Sequence, residues 1–279
     1  MSRLSALLSS LCIAVASLSI ISCQTNPELN AARAEMLTLQ TRKGQLNYPE
    51  QSYEYFVSHN KYPVTMSIYK NAALMAKANR TSRIVICLAQ QRGRLYVDNQ
   101  VAADWPVSTG IPGRETPAGN YTVREKKESY ASNRYGKMYN AEGKVISTDA
   151  DAFKHEVPEG GKFVGSPMPD WQRLTGDGIG MHIGKVSAGR RLSHGCIRTP
   201  GEMARILYRI TGVGTTKVSV NKEIEPEYPA REALSLGTIR QDIDSKMEKL
   251  QKKIDTLTRE EEEKKKNRSF GISSLLWWR

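Results

Sequence analysis

The stretch Met181–Pro200, MHIGKVSAGRRLSHGCIRTP, is where this chain declares its chemistry. It sets a histidine, His182, ahead of a loop rich in Gly, Ser and Arg, and then runs tightly through Ser193, His194, Gly195, Cys196, Ile197 and Arg198. A cysteine that transfers acyl groups needs a base to form thiolate, backbone N–H donors for an oxyanion, and access for substrate. A free thiol has a pKa of about 8.5, so at neutral pH only a few per cent is thiolate unless an imidazole or cation intervenes. Here two imidazoles and Arg190, Arg191 and Arg198 lie close in sequence, with Arg205 one segment later. His194, Cys196 and Arg198 alternate, which in an extended segment puts them on one face. Gly195 lets the backbone come close to a substrate. Two other readings compete: Cys196 as a buried structural thiol, and zinc held by His182, His194 and Cys196, for which a His-x-Cys pair lacks the usual finger spacing.

A histidine, a loop, and then Ser-His-Gly-Cys-hydrophobic-Arg resembles the signature of the L,D-transpeptidases (YkuD-like catalytic domain) of bacterial cell walls. Upstream, Pro106-Val-Ser-Thr-Gly110 and Thr116-Pro-Ala-Gly119 resemble the N-terminal half of the same domain, so the resemblance covers about residues 82–220. It implies a mainly β fold, a YkuD-like β-sandwich with a few helices. It further implies Cys196 as nucleophile on peptidoglycan stem tetrapeptides, attacking the carbonyl of the third residue, diaminopimelate, and releasing D-alanine. His182 is then the general base, His194 orients or polarises the thiolate, and the backbone N–H groups of Gly195 and Cys196 meet the oxyanion. Arg198 pairs with a substrate carboxylate, Ser193 joins it in substrate binding, and no metal or organic cofactor is called for. An amine from a second stem accepts the acyl group; water in its place makes an L,D-carboxypeptidase. A wall-binding or tethering lipoprotein without catalysis is the reading from another class. By composition Ser108–Gly110 and Thr116–Gly119 read as turns.

The N-terminus carries one charge, Arg3, an apolar run over residues 4–21, and then Ser22 and Cys23. Basic start, apolar core and small residue describe a secretory signal. The following cysteine resembles a lipoprotein box, so residues 1–22 are expected to be removed and Cys23 lipidated. That places the chain outside the cytoplasm, anchored to a membrane and facing the periplasm or wall. Of the 4 cysteines, Cys12 leaves with the signal and Cys87, inside the apolar run 84–88, reads as a small buried hydrophobe. The formal net charge of +12 suits an acidic polymer such as peptidoglycan or an anionic membrane surface. Nucleic acid is not expected, since basic and aromatic residues are not interleaved.

Residues 23–80 read as a stalk or accessory segment, with a helix near Pro27–Leu39 from the spacing of Leu29, Ala32, Met36 and Leu39. Residues 81–222 read as the catalytic domain. Short strands separated by turns at Gln91–Gly93, Asp98–Asn99 and Ile111–Gly113 fit an all-β sandwich or barrel. The long polar stretch 126–170 is expected to form a lid over the cleft, with Met168 and Trp171 as candidate substrate walls. Met203, Ile206, Leu207 and Ile210 predict a helix behind the nucleophile strand. Residues 223–279 form a charged helical tail: Ile239 or Ile243, Met247, Leu250, Ile254 and Leu257 follow a heptad spacing. This short coiled-coil pattern is expected either to dock on the chain or to pair between copies, and the terminal Leu275–Trp278 group to touch a membrane interface.

Overall fold

The structure is a computed structural model that describes residues 26–46, 48–225, 228 and 230–276, with side chains to 267 except at 231. Cys23, the signal segment and Trp277 and Trp278 lie outside the described residues. Two compact units are distinguished: Tyr48–Gly237, and the described residues up to 46 taken with those from Thr238 onward.

The smaller unit is a helix pair. Helix α1 (Pro27–Gly44) starts where Asn26 Oδ1 accepts the Glu28 N–H and Pro27 pre-sets the first turn, with Glu28 in its first turn and Arg42 and Lys43 in its last. Leu29, Ala32 and Met36 are buried on one stripe. The second member is the part of α5 (Arg231–Leu276) that bears the heptad residues, of which Ile243 and Leu257 are buried. Lys43–Asp244 (2.5 Å) and Glu28–Lys253 (2.8 Å) set the two helices antiparallel. The partner of the heptad stripe inside this chain is therefore the N-terminal helix. No helix of the described residues is long and apolar enough to cross a membrane.

The larger unit is mostly strand. A six-stranded sheet has the order β1-β4-β3-β2-β13-β5, built from β1 (Tyr69–Lys70), β2 (Arg83–Cys87), β3 (Arg92–Val97), β4 (Gln100–Pro106), β5 (Gly119–Thr122) and β13 (Lys217–Asn221). The turn between β3 and β4 uses positive φ at Asp98 and Asn99, residue types that tolerate the left-handed region and so close a two-residue hairpin. Both faces of this sheet are covered, which is why β2 is a continuous apolar run rather than an alternating one. One face packs Ile84, Ile86, Leu95 and Trp105 on Met181, Ile197 and the Met203 and Leu207 stripe of α4 (Gly201–Ile210). The helix expected behind the nucleophile strand is thus in place.

The other face carries Val85 and Tyr96 and packs on Tyr53, Phe56, Tyr62 and Tyr228, drawing in α2 (Tyr53–His59). A buried ionic network lies there. Asp104 takes Arg92 Nε at 2.6 Å, Arg94 Nε at 3.2 Å and Tyr62 OH at 2.9 Å, and Tyr53 OH also donates to it. Arg94 Nη1 reaches Glu225 at 3.0 Å, and Arg92 fixes the carbonyls of Thr65 and Ser67 at 2.8 and 3.0 Å. The aromatic stretch 48–63, Glu225 and Tyr228 are held to the sheet on this side, while α3 (Ala72–Lys77) packs Leu74 into the cluster on the opposite face.

A second sheet, order β12-β11-β10-β6, comprises β6 (Glu125–Lys127), β10 (Trp171–Arg173), β11 (Gly180–Ile183) and β12 (Ile197–Thr199). The polar stretch between β6 and β10 folds as a third sheet, β8-β7-β9, from β7 (Ala131–Tyr139), β8 (Val145–Asp151) and β9 (Lys162–Pro167).

Candidate functional site

The site is set by one parallel pairing. Strands β11 and β12 align Met181 with Ile197 and His182 with Arg198, so His182 and Arg198 stand side by side, and Cys196 sits in the bend that leads directly into β12. The expected alternation holds in burial: His194, Cys196 and Arg198 are partly exposed, while Ser193, Gly195, Ile197 and Thr199 are buried. Cys196 is a free thiol, as is the fully buried Cys87.

His182 is 6% exposed. Its Nδ1 lies 2.7 Å from the Ile183 carbonyl; a carbonyl only accepts, so Nδ1 carries the proton and Nε2 keeps a free lone pair. Burial disfavours the imidazolium and lowers the His182 pKa to about 4, outweighing the hydrogen bond to Ile183. Burial likewise pushes the Cys196 thiol up, opposed by the Gly180 N–H and the Arg198 guanidinium. Burial thus disfavours the charged form of both groups, while the Gly180 N–H and the Arg198 guanidinium favour thiolate at Cys196.

The loop before Cys196 is held by main-chain and hydroxyl contacts. Ser193 Oγ donates to the Cys196 carbonyl at 2.5 Å and accepts the Gly195 N–H at 3.1 Å. Thr116 Oγ1 donates to the Gly195 carbonyl at 2.6 Å and accepts the Gly110 N–H at 3.0 Å. Gly195 has φ +118, a conformation an L side chain rarely adopts. Ser193, expected at the substrate, is 1% exposed and acts instead as the clamp of this turn. Of the two N–H groups expected to meet an oxyanion, that of Gly195 is engaged by Ser193.

His194 points elsewhere. Its Nε2 is 3.2 Å from Asp149 of β8, and its ring meets Tyr135 of β7 edge-on at 4.4 Å. Burial lowers its pKa, with Asp149 opposing. The inserted sheet thus reaches the nucleophile loop through His194. Met168 and Trp171, expected as substrate walls, are 8% and 1% exposed. Trp171 is stacked on Tyr130 at 4.1 Å, so both serve as packing at the base of the insertion.

The residues that sequence reasoning left as turns belong to the scaffold of the site. Ser108 pairs with Arg198 and Gly110 with Ser193, and Ser108 Oγ donates to the Arg190 carbonyl at 2.7 Å. Gln91 Oε1 accepts the Thr109 N–H at 2.9 Å while its Nε2 donates to Thr109 Oγ1 at 2.8 Å. The signal was present in the Ser-Thr-Gly and Thr-Pro-Ala-Gly phrases; small hydroxyl residues there serve a tertiary contact rather than a local turn.

Residues 81–220 match the family described as the L,D-transpeptidase catalytic domain, YkuD. Among curated proteins none matches the chain. Similar solved structures include an L,D-transpeptidase from Mycobacterium smegmatis, 20% identical over 50% of this chain and 58% of that one, TM-score 0.39. An L,D-transpeptidase from Stackebrandtia nassauensis is 18% identical over 55% and 59%, TM-score 0.37. L,D-transpeptidase 3 from Mycobacterium tuberculosis, in complex with a faropenem-derived adduct, is 21% identical over 51% and 60%, TM-score 0.38. This chain therefore spans less than two thirds of the length of each.

Proposed function

The chain belongs to the family of the L,D-transpeptidase catalytic domain, and from that premise we propose that it is a cysteine-dependent acyltransferase acting on peptidoglycan stem tetrapeptides. Nε2 of His182 takes the proton of Cys196 as Sγ attacks the carbonyl carbon of the third stem residue. The oxyanion is met by the Cys196 N–H, since that of Gly195 is engaged. Collapse of the tetrahedral intermediate breaks the bond to D-alanine, whose amine receives the proton from His182 and leaves. The amine of a second stem then attacks the thioester, its proton passing through His182 back to Sγ, which restores the thiol.

The observation that carries this reading is the His182 tautomer: Nδ1–H is committed to Ile183 O, which leaves Nε2 free on the strand paired with the one that Cys196 leads into. The experiment is intact-mass spectrometry of the chain from residue 24 onward, incubated with faropenem or with a disaccharide tetrapeptide. A stable adduct mapped to Cys196, and release of D-alanine from the peptide, are expected. A folded, reduced protein that gains no mass and releases nothing would return the chain to the wall-binding alternative. Release without transfer to an added amine would assign hydrolysis.

The pH profile follows from the same geometry. Protonation of His182 removes the base, and burial lowers its pKa to about 4, so the base form persists on the acid side. Acylation of Cys196 by faropenem is expected to run at pH 5.5 within about twofold of its rate at pH 7, whereas an ordinary imidazole of pKa about 6.5 would lose nearly tenfold. A half-point near 6.5 in that assay would contradict the assignment.

Export and anchoring are proposed from the N-terminal residues alone: cleavage before Cys23, lipid on its thiol and new amine, and a site facing the periplasm or wall. Metabolic labelling with palmitate is expected to mark the chain and to fail for Cys23→Ala; a labelled Cys23→Ala chain would contradict it.

A further inference from the structure

Beside the nucleophile loop lies a cavity of about 240 Å³ that none of the steps above uses, lined by Arg114, Arg134, Tyr135, Asp151, Lys154 and His194 together with Gly113 and Glu115. It joins three pieces of chain: the loop before Thr116, the nucleophile loop, and the inserted sheet with the turn that follows β8. The first two are in close register, since the Arg114 carbonyl would stand 3.8 Å from a Cβ on Gly195.

The charges of the lining do not cancel in their hydrogen-bonding capacity. Asp151, 2% exposed, is saturated: Arg134 Nε reaches its two oxygens at 3.1 and 3.3 Å, Arg134 Nη2 reaches one at 3.1 Å, and the Phe153 N–H donates at 3.1 Å. Glu115 turns to its own loop, accepting the Gly113 N–H at 2.9 Å. Asp149, outside the lining, takes His194 and one longer contact from Arg114 Nη1 at 3.5 Å. The acids thus have their donors, while the arginine forks keep donors in hand. Arg114 spends one nitrogen on that single contact, and Arg134 does not use Nη1 on Asp151. Both guanidinium groups are steadied against one ring, with their central carbons 5.1 and 5.0 Å from the centroid of Tyr135. Lys154 adds an ammonium. A pre-oriented pair of planar donor forks matches a carboxylate.

We propose that this cavity binds a carboxylate of the peptide substrate, with Arg114 as its principal donor and Arg134 and Lys154 in support. The inference rests on the acyl-transfer reading above and adds a recognition site that His194 borders and Cys196 does not. The carboxylate comes either from the chain that donates the acyl group or from the one that accepts it, and the test separates them.

The full-length Cys196→Ala chain, which can bind without turning over, is titrated by NMR with a stem tetrapeptide as free acid and as C-terminal carboxamide. It is then titrated with D-methionine and D-methioninamide as stand-ins for the acceptor. The same four titrations are repeated with Arg114→Gln added. One ligand pair is expected to show about tenfold or greater preference for the acid, falling below about twofold with Arg114→Gln; the pair that shows it identifies the source. A purely structural defect would weaken acid and amide alike. Equal affinity for acid and amide in both pairs, or a preference that survives Arg114→Gln, would overturn the proposal. Arg134→Lys, which keeps a cation beside Asp151 and removes the fork, gives an independent variant and is expected to reduce the preference several-fold. Because the titration reads binding, a wild-type chain that releases no D-alanine would defeat the acyl-transfer reading without deciding this one.

Discussion

Replacement of Cys196 by alanine is expected to abolish D-alanine release and transfer, by about 10⁴-fold or more in kcat/KM. Neither the other described thiol nor the nearby serine offers a replacement for the proposed nucleophile: Cys87 is fully buried on the sheet, and the Ser193 hydroxyl is engaged by the Cys196 carbonyl and the Gly195 N–H. The thiol itself is partly exposed, and its hydrogen-bond contacts are a long one to the Gly178 carbonyl at 4.0 Å and the Gly180 N–H. Its removal should therefore change stability by no more than about 1 kcal/mol. The loss would be chemical, and urea unfolding of the variant beside wild type verifies that. His182→Ala is expected to lose about 10²- to 10⁴-fold. His194→Ala is expected to lose less, because the His194 ring is turned to Asp149 and Tyr135. The reverse order of the two histidine variants, or D-alanine release by Cys196→Ala, would refute the division of roles.

Asp104→Ala is expected to destabilise the larger unit by about 3–5 kcal/mol, a large share of the roughly 5–15 kcal/mol that holds a typical domain folded. Asp104, Arg92 and Arg94 have no exposed side-chain surface, so deleting the one carboxylate they share leaves two desolvated cations. Glu225 still faces Arg94, and two carbonyls still face Arg92, but the hydroxyls of Tyr53 and Tyr62 lose their acceptor as well. Asp104→Asn preserves volume and should fall between wild type and Ala. Denaturant unfolding measures both; a cost under about 1 kcal/mol for Asp104→Ala would mean the cluster is hydrated in solution. The same network ties residues on both sides of the family match, Tyr53 and Tyr62 before it and Glu225 and Tyr228 after it, into the larger unit. A chain cut to residues 81–220 would lose Tyr53, Tyr62, Glu225 and Tyr228, which line one face of its central sheet.

The contrast between β2 and β3 shows what could be read without coordinates. An apolar run such as residues 84–88 is incompatible with an exposed strand, so its burial was legible. Gln91–Gly93 read as a turn before a strand at Arg94, whereas β3 starts at Arg92 and buries Arg92 and Arg94, a residue type seldom buried. Their burial depends on Asp104 one strand away and on Glu225 some 130 residues on, partners that no local pattern reveals. The insertion is a similar case. Residues 126–170 read as a polar lid of uncertain structure because register shifts at Gly136 and Met138 break the alternation that marks a strand, yet backbone pairing makes three strands of them.

The sequence by itself marked Cys196 as the candidate nucleophile with a histidine upstream of it, the glycine that turns the chain just before Cys196, the helix that follows and the apolar stripe of the C-terminal helix. Each of these is a local matter of residue type and spacing, governed by thiol chemistry, backbone freedom and helical or strand periodicity. Only the tertiary structure decided that His194 faces the inserted sheet, that Ser193 and Thr116 brace the turn before Cys196, and that α1 covers the heptad stripe. It also placed two arginine forks beside His194. Those outcomes depend on side chains brought together from distant segments, where burial and geometry, rather than residue type, set what each group can bind or ionise.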